Sequence, residues 1–422
     1  KGLLHMKRLL LPILILILSF IAGYSVLSIW IGVSLYRETP SREDLQKVIR
    51  LTPSNPDPYY RLALFHEWNI QNIDLKQSLH FLKKAIEHNP LEQQYWIQLA
   101  KILFRIGEKE ASGKALEKAV SVFPTGYQGR WVSGNLLLQQ GAIEKAITHF
   151  SYILTHYPNQ GYLVYEVLRK AFDDPDFVFE KIVPKDSAST NQYLAYLYEV
   201  GDKESAQKVW RKKVLLGHQA SRGETIRHIE FLIGRGELSE AFVIWKAKLG
   251  QEGLSLPAGG NLITNGGFEK DSVLGGGFDW KLSQVAGAEV SFDPSNAFEG
   301  GRSLKIAFNG KENVDFHHVS QYVALKPDTE YTLKAHIKCR AITTKSGFRI
   351  EILGIGPSYY KASESLVGDN DWREIEVVFR TPAQSRGGLV RFRREKTDKF
   401  DRFISGTVWI DKVSLKEKGR YD

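Results

Sequence analysis

Residues 90–124 read PLEQQYWIQLAKILFRIGEKEASGKALEKAVSVFP. Trp96, Leu99 and Leu103 recur at i, i+3 and i+7, which places them on one face of a helix. Gly107 ends that helix, and Glu110 to Val122 forms a second one up to Pro124. The layout returns on either side, because Pro56, Pro90, Pro124 and Pro158 stand 34 residues apart, three times in succession. A proline after each second helix cannot continue it and sets the entry to the next. In the following unit Gly134 lets two helices approach closely and Gly141 turns the chain. Helix pairs at this period stack into a solenoid, each burying its face against its neighbours. The period breaks after Pro158: Gly201 and Gly236 are 35 apart, but Gly141 and Gly201 are 60 apart. Asp173 to Ser189 reads as an irregular insert, and about five helix pairs are expected between residues 41 and 250.

These residues resemble the tetratricopeptide repeat (TPR) family. The resemblance rests on Trp96, Leu99, Ala100, Leu103, Ala119 and Pro124 in one unit and on Gly134, Leu137, Ala146, Phe150 and Pro158 in the next. The unit ending at Pro90 fits less well, with His66 where a small residue is expected. The resemblance implies a protein partner in a concave groove lined by the first helix of each pair. Tyr60, Arg61, Gln94, Gln98 and Arg130 are the groove candidates.

Ahead of the repeats, residues 9–36 are apolar, and no charge stands between Arg8 and Arg37. A bilayer takes about 20 helical residues, and the apolar part of a cleaved signal peptide spans only about 7–15. The run is therefore read as a single transmembrane helix, with Trp30 and Tyr36 suited to an interface. Lys1, Lys7 and Arg8 favour a cytoplasmic N-terminus over residues 1–8. The bulk of the chain is then expected outside an inner membrane, in the periplasm or beyond.

After a loop-like linker at 251–260, the period changes from 3.6 to 2. Leu304, Ile306 and Phe308 alternate with Ser303, Lys305 and Ala307. Tyr331, Leu333, Ala335, Ile337 and Cys339 alternate with polar residues, as do Ile375, Val377 and Phe379. Such runs between Gly, Asp, Asn and Pro turns predict an all-β sandwich. The fold class is thus multidomain: one transmembrane helix, an all-α solenoid over 41–250, and a sandwich over 261–416 with a tail at 417–422.

The opening NLITNGGFE (261–269), the inner GGRSLKI (300–306) and the closing TVWIDKVSL (407–415) resemble the galactose-binding-like jelly roll of family 4/9/22-type carbohydrate-binding modules. The resemblance implies two sites. One is a structural Ca²⁺ between the first and last strands, where Glu269 and Asp411 occupy the motif positions; Lys412 stands where the family often has a second acid. The other is a sugar face, which needs flat aromatics and planar polar side chains. Its candidates are Trp280, Phe316, His317, Tyr322, Tyr359, Tyr360 and Trp372. A polar run of Lys334, His336, Lys338, Arg340, Arg349, Arg391 and Arg393, if convergent, would favour an acidic glycan.

A net charge of +9 is spread thinly, without the dense basic run of a nucleic-acid binder. The single cysteine, Cys339, excludes an intrachain disulfide and falls on the apolar parity of a strand. The chain carries no phosphate-binding glycine loop, dinucleotide fingerprint, Gly-x-Ser-x-Gly elbow or His-Glu-x-x-His. A non-enzymatic, membrane-anchored adaptor in polysaccharide assembly or export is expected. The alternative is a purely structural interaction subunit that binds no sugar.

Overall fold

The computed structural model describes residues 2–35 and 41–419 and divides the chain into two compact units, Lys1–Val200 and Gly201–Asp422. The first unit opens with a long helix, α1 (Gly2–Leu35). Within it, Leu14–Ile31 is long and apolar enough to cross a membrane, and Trp30 is exposed. Tyr36, the second expected interface aromatic, lies outside the described residues.

Helix α2 (Arg42–Leu51) starts on a capping box in which Ser41 and Asp44 satisfy each other's backbone N–H. Three antiparallel pairs follow: α3 (Pro56–Trp68) with α4 (Leu75–His88), α5 (Gln93–Arg105) with α6 (Lys109–Val122), and α7 (Tyr127–Gln139) with α8 (Ile143–His156). Small residues set their spacing. Ser78 Oγ donates to Ala63 O at 2.7 Å, and one repeat later Ser112 Oγ donates to Ala100 O at 2.8 Å. A β-carbon on Gly134 would stand 2.9 Å from the Phe150 ring, so the close approach read from the sequence is a steric requirement. His66 is buried and stacks on Phe81, filling the place of the expected small residue.

Beyond Pro158 come α9 (Gly161–Ala171), α10 (Pro175–Lys181) and α11 (Ser187–Val200). The expectation of an irregular insert at 173–189 is corrected here. Asp174 caps a short helix, and Val178, Phe179, Ile182 and Val183 are buried. Acidic and proline residues had masked an apolar turn that packs.

The second unit begins with α12 (Lys203–Leu215), α13 (Arg222–Gly234) and α14 (Leu238–Gln251). Ten strands follow: β1 (Lys281–Leu282), β2 (Ala288–Asp293), β3 (Ser303–Asn309), β4 (Val319–Val323), β5 (Glu330–Ile342), β6 (Arg349–Ile355), β7 (Tyr360–Ala362), β8 (Gly368–Arg380), β9 (Gly387–Arg393) and β10 (Ser405–Glu417). They form two antiparallel five-stranded sheets, ordered β1-β4-β9-β6-β7 and β2-β3-β10-β5-β8. Both inner faces fill one core in which Leu304, Ile306, Leu333, Ile337, Cys339, Ile352, Val390, Phe392 and Ile410 are buried.

A separate cluster joins the last helix pair to this sandwich. Ile229 and Leu232 of α13, with Ala241, Trp245 and Leu249 of α14, bury Leu274 and Phe278 from the loop before β1. Leu254 and Leu256, in the stretch read as a linker, pack on the same cluster, as does Tyr322 of β4. Arg222 donates to Val273 O at 3.0 Å.

Candidate functional site

In an antiparallel sheet directly paired residues point to the same side. That rule sorts the outer face of the first sheet into rows. Lys281, Ser320, Arg391, Glu351 and Ala362 form one row, and Tyr322, Leu389, Leu353 and Tyr360 the next; Arg393 pairs with Arg349 beyond them. At the centre Glu351 is fully buried. Its Oε1 accepts from Arg391 Nε at 2.5 Å and its Oε2 from the Tyr360 hydroxyl at 2.8 Å. Arg349 Nε lies 3.6 Å from Glu351 Oε2, and Arg393 Nε lies 3.9 Å from Oε1. Arg393 also donates to Asp315 at 2.5 Å, and Arg349 to Glu395 at 2.9 Å. Tyr360 remains 50% exposed while its hydroxyl is held by Glu351 and Arg349. Burial is the main cause that raises the Tyr360 pKa, and the Glu351 charge adds to it.

The polar run expected to converge does not. Lys334, His336, Lys338 and Arg340 lie on β5, whereas Arg349 lies on β6 and Arg391 and Arg393 on β9. These strands belong to different sheets of the sandwich. Alternation reports which side of a strand a residue takes, not which sheet the strand joins. On β5, Lys334 pairs with Glu374 and Glu376, and Arg340 with Asp371. His336 stacks on Phe298 at 3.8 Å, and Trp372 meets the same ring edge-on at 5.8 Å.

The other aromatic candidates divide by burial. Trp280 and Phe316 are core: Trp280 packs on Phe268 and Phe392, and Phe316 on Phe308 and Phe348. Tyr322 faces outward but packs on the cluster built by α13 and α14. Tyr359 is half-buried against the sandwich core. His317 is exposed and stacks on His318 at 4.5 Å. The two precede β4, so strict alternation does not separate them. Glu351 was not among the sequence candidates. Its signal was available, since it shares parity with Arg349 in Arg349-Ile350-Glu351.

Glu269 and Asp411 do come together. A β-carbon on Gly267 would lie 3.7 Å from Asp411 Oδ1 and 3.8 Å from Glu269 Cγ. Asp411 is fully buried and accepts backbone N–H groups of Phe298 at 2.8 Å, Glu299 at 3.1 Å and Lys412 at 2.7 Å. Glu269 accepts from Gly301 N at 2.9 Å, so both carboxylates hold the 298–301 loop. Burial raises the Asp411 pKa; the three backbone donors oppose this, and the Glu269 charge adds to it. Lys412, the departure from the family pattern, turns its ammonium to Glu299 at 2.7 Å. Asn265, Phe268 and Lys412 all hold positive φ around this point, a cost that clusters where geometry is over-determined. Among the described residues, no group of three or more His, Cys, Asp or Glu side chains is poised for a metal ion.

The groove candidates sit on α3, α5 and α7. Gln94 and Gln128, one repeat apart, share a hydrogen bond of 2.5 Å. Arg130 lies over the Tyr152 ring at 4.1 Å. Tyr60 is half-buried against Tyr95, and Arg61 is exposed. Gln98 is buried and bonded to Glu67, whose other oxygen takes Arg105 at 2.9 Å.

Residues 260–399 match the family model of the carbohydrate binding domain. The sandwich is therefore a jelly roll of the carbohydrate-binding-module type. The chain also resembles the tRNA(Glu)-specific nuclease WapA of Bacillus subtilis subsp. natto, with 28% identity over 177 residues, 40% of this chain and 7% of that protein. The tRNA nuclease WapA of Bacillus subtilis strain 168 matches with the same identity and extent. The chain thus spans only 7% of the length of these curated relatives. Among solved structures, a family 16 carbohydrate-binding module matches 37% of this chain and 99% of its own, at 26% identity and a TM-score of 0.26. The MamA protein matches 47% of this chain and 98% of its own, at 16% identity and a TM-score of 0.32.

Proposed function

We propose that this protein is a non-enzymatic, membrane-anchored adaptor whose carbohydrate-binding domain holds a glycan on the outer face of the β1-β4-β9-β6-β7 sheet. The observation that carries it is the half-exposed Tyr360, its hydroxyl fixed, beside the Arg391 guanidinium on that face. A flat ring covers the apolar side of a sugar while planar donors meet its hydroxyls. The α3–α8 pairs act as a TPR-like array that docks a protein, with Tyr60, Arg61, Gln94 and Arg130 toward the partner. Helix α1 crosses the inner membrane once, N-terminus in the cytoplasm, and holds the rest in the periplasm or beyond. The setting is polysaccharide assembly or export.

Catalysis is not part of this reading. Calcium has a structural place in it. Two coupled carboxylates, one fully buried, suit a hard cation that takes oxygen donors. Glu269 and Asp411 would hold the ion with backbone carbonyls, pinning the 298–301 loop to the last strand.

The test is a glycan array probed with the full chain in detergent, beside the Tyr360→Ala variant. Binding that the variant loses supports the reading. If the intact, folded chain retains no saccharide, the glycan half fails and the chain is a structural interaction subunit. Crosslinking in native membranes, followed by mass spectrometry, identifies the docked protein.

A further inference from the structure

We infer that the outer face of β4, β9 and β6 selects an anionic saccharide, with Arg391 as the fork that meets its charge. The inference rests on the glycan-binding reading and names the class of glycan.

Glu351 orders the arginines. One buried carboxylate is approached by three guanidiniums, Arg391 at 2.5 Å, Arg349 at 3.6 Å and Arg393 at 3.9 Å. A carboxylate shared this way cannot neutralise all three, and further partners take up the rest unevenly. Arg393 spends a terminal nitrogen on Asp315 and on the Phe316 and Arg394 carbonyls. Arg349 spends one on Glu395 and the Tyr360 hydroxyl. Arg391 differs: it bonds Glu351 through Nε, and among the described residues its terminal nitrogens find no acceptor. The anchored Nε leaves the two terminal nitrogens oriented without further cost. That is the geometry in which a guanidinium takes an oxyanion by two parallel bonds.

The row around Arg391 points the same way. Ser320 and the exposed Lys281 pair along it on one side, and Glu351 on the other. A neutral sugar presents hydroxyls that both donate and accept, and a site for it offers acceptors as well as donors. Here the one carboxylate of the row, Glu351, is buried and consumed by Arg391 and Tyr360, which leaves the neutral Ser320 hydroxyl as the other side-chain acceptor of the row. What the row leaves accessible is weighted to cationic donors. The Tyr360 ring lies in the neighbouring row and supplies the stacking surface for the same sugar unit. Asp315 and Glu395, two acids at the margin, are each tied to an arginine.

The probes are oligogalacturonate with its fully methyl-esterified twin, and a sulfated galactan oligosaccharide with its desulfated twin. Calorimetric titration of the full chain in detergent is expected to show a charged member binding roughly tenfold more tightly than its neutral twin at low salt. The gap should narrow as ionic strength rises. The two pairs separate a carboxylate from a sulfate ester as the carrier of charge. Arg391→Gln should erase the preference, and Lys281→Gln, at the exposed edge, should reduce it without touching the buried cluster. Equal affinity for both twins of both pairs, or a preference that survives Arg391→Gln, overturns the inference. Binding of neutral oligosaccharides alone overturns it and leaves the glycan-binding reading standing. Binding of no saccharide at all removes both.

Discussion

The Trp245 indole donates from Nε1 to the Gly275 carbonyl at 2.8 Å, joining the last helix of the array to the loop that leads into the sandwich. The ring also faces Phe278, at 5.9 Å, and is fully buried. The jelly roll is thereby built onto a helix pair and shares an apolar core with it.

Removing that ring should therefore destabilise the sandwich as well as the helix pair. Trp245→Ala is expected to cost about 3–5 kcal/mol, the range for a buried aromatic truncated to alanine. Urea denaturation followed by helical and by near-ultraviolet circular dichroism should shift together. A fragment of residues 261–422 exposes Leu274, Phe278 and Tyr322 and should melt below a fragment of residues 201–422. Equal melting temperatures for the two fragments would show the junction to be incidental.

The alternating strands and the pairs α3 to α8 were legible because each rests on a local period: proline spacing, i to i+4 apolar faces, and two-residue alternation. The junction was not. Trp245 and Phe242 satisfy a helical pattern whatever they pack on, and Phe278 reads as one aromatic in a glycine-rich loop. The polar run did not converge for a related reason. Lys338 and Arg391 both sit on outward positions of strands, and only strand order places them on different sheets. Trp280 looked like a platform because indoles serve both purposes; here its Nε1 is satisfied by Asn265 O, which lets the ring enter the core. Glu351 carried a local clue in its shared parity with Arg349, but its contacts with Arg391 and Arg393 depend on strand order.

If Glu269 and Asp411 hold Ca²⁺ as proposed, stability is linked to the ion through Asp411. Its folded pKa is raised above its unfolded value, chiefly by burial. Without metal its contribution is most favourable below the unfolded pKa and is lost as pH rises through the folded one. Bound Ca²⁺ should recover that loss, so millimolar Ca²⁺ is expected to raise the melting temperature by several degrees at pH 7. The increment should shrink as pH falls through the folded pKa and protons compete for the site. Scanning calorimetry with Ca²⁺ or chelator checks this, and Asp411→Asn should abolish the difference. A calcium increment that persists in Asp411→Asn would place the ion elsewhere.

His228 gives the second unit the opposite pH response. It is fully buried, stacks on Trp210 at 4.2 Å, and is pushed down to about 3, first by burial and then by the Lys213 charge. A histidine with a depressed folded pKa contributes stability that is complete above its unfolded pKa and is lost as pH falls toward the folded one. The window runs from about pH 6.5 down to about 3, and the full effect is on the order of 5 kcal/mol. His228→Phe keeps a ring against Trp210 and removes the titration. Its stability should fall less steeply than that of the parent between pH 6.5 and 4. Parallel curves would mean that another group governs acid unfolding.

Tyr360 and Trp280, two aromatics nominated for the same role, should separate in one pair of measurements. Trp280 stacks on Phe268 at 5.2 Å inside the core, so Trp280→Ala should cost about 3–5 kcal/mol of stability. Any loss of binding there should follow the loss of folded protein. Tyr360 is half-exposed on a short edge strand, so Tyr360→Ala should cost about 1–3 kcal/mol, the loss of the hydroxyl that buried Glu351 accepts, and less than Trp280→Ala. Its effect should fall on saccharide affinity, reduced several-fold to about tenfold with the stacking surface gone. Tyr360→Phe refines the point. It keeps the ring but removes the hydroxyl that Glu351 accepts at 2.8 Å. Glu351 then loses a hydrogen bond in a buried position, which costs about 1–3 kcal/mol of stability. Affinity measured on the folded fraction should be largely retained, because the ring that meets the sugar is still there. If Tyr360→Phe instead loses affinity as fully as Tyr360→Ala, the hydroxyl network rather than the ring face is what the ligand reads.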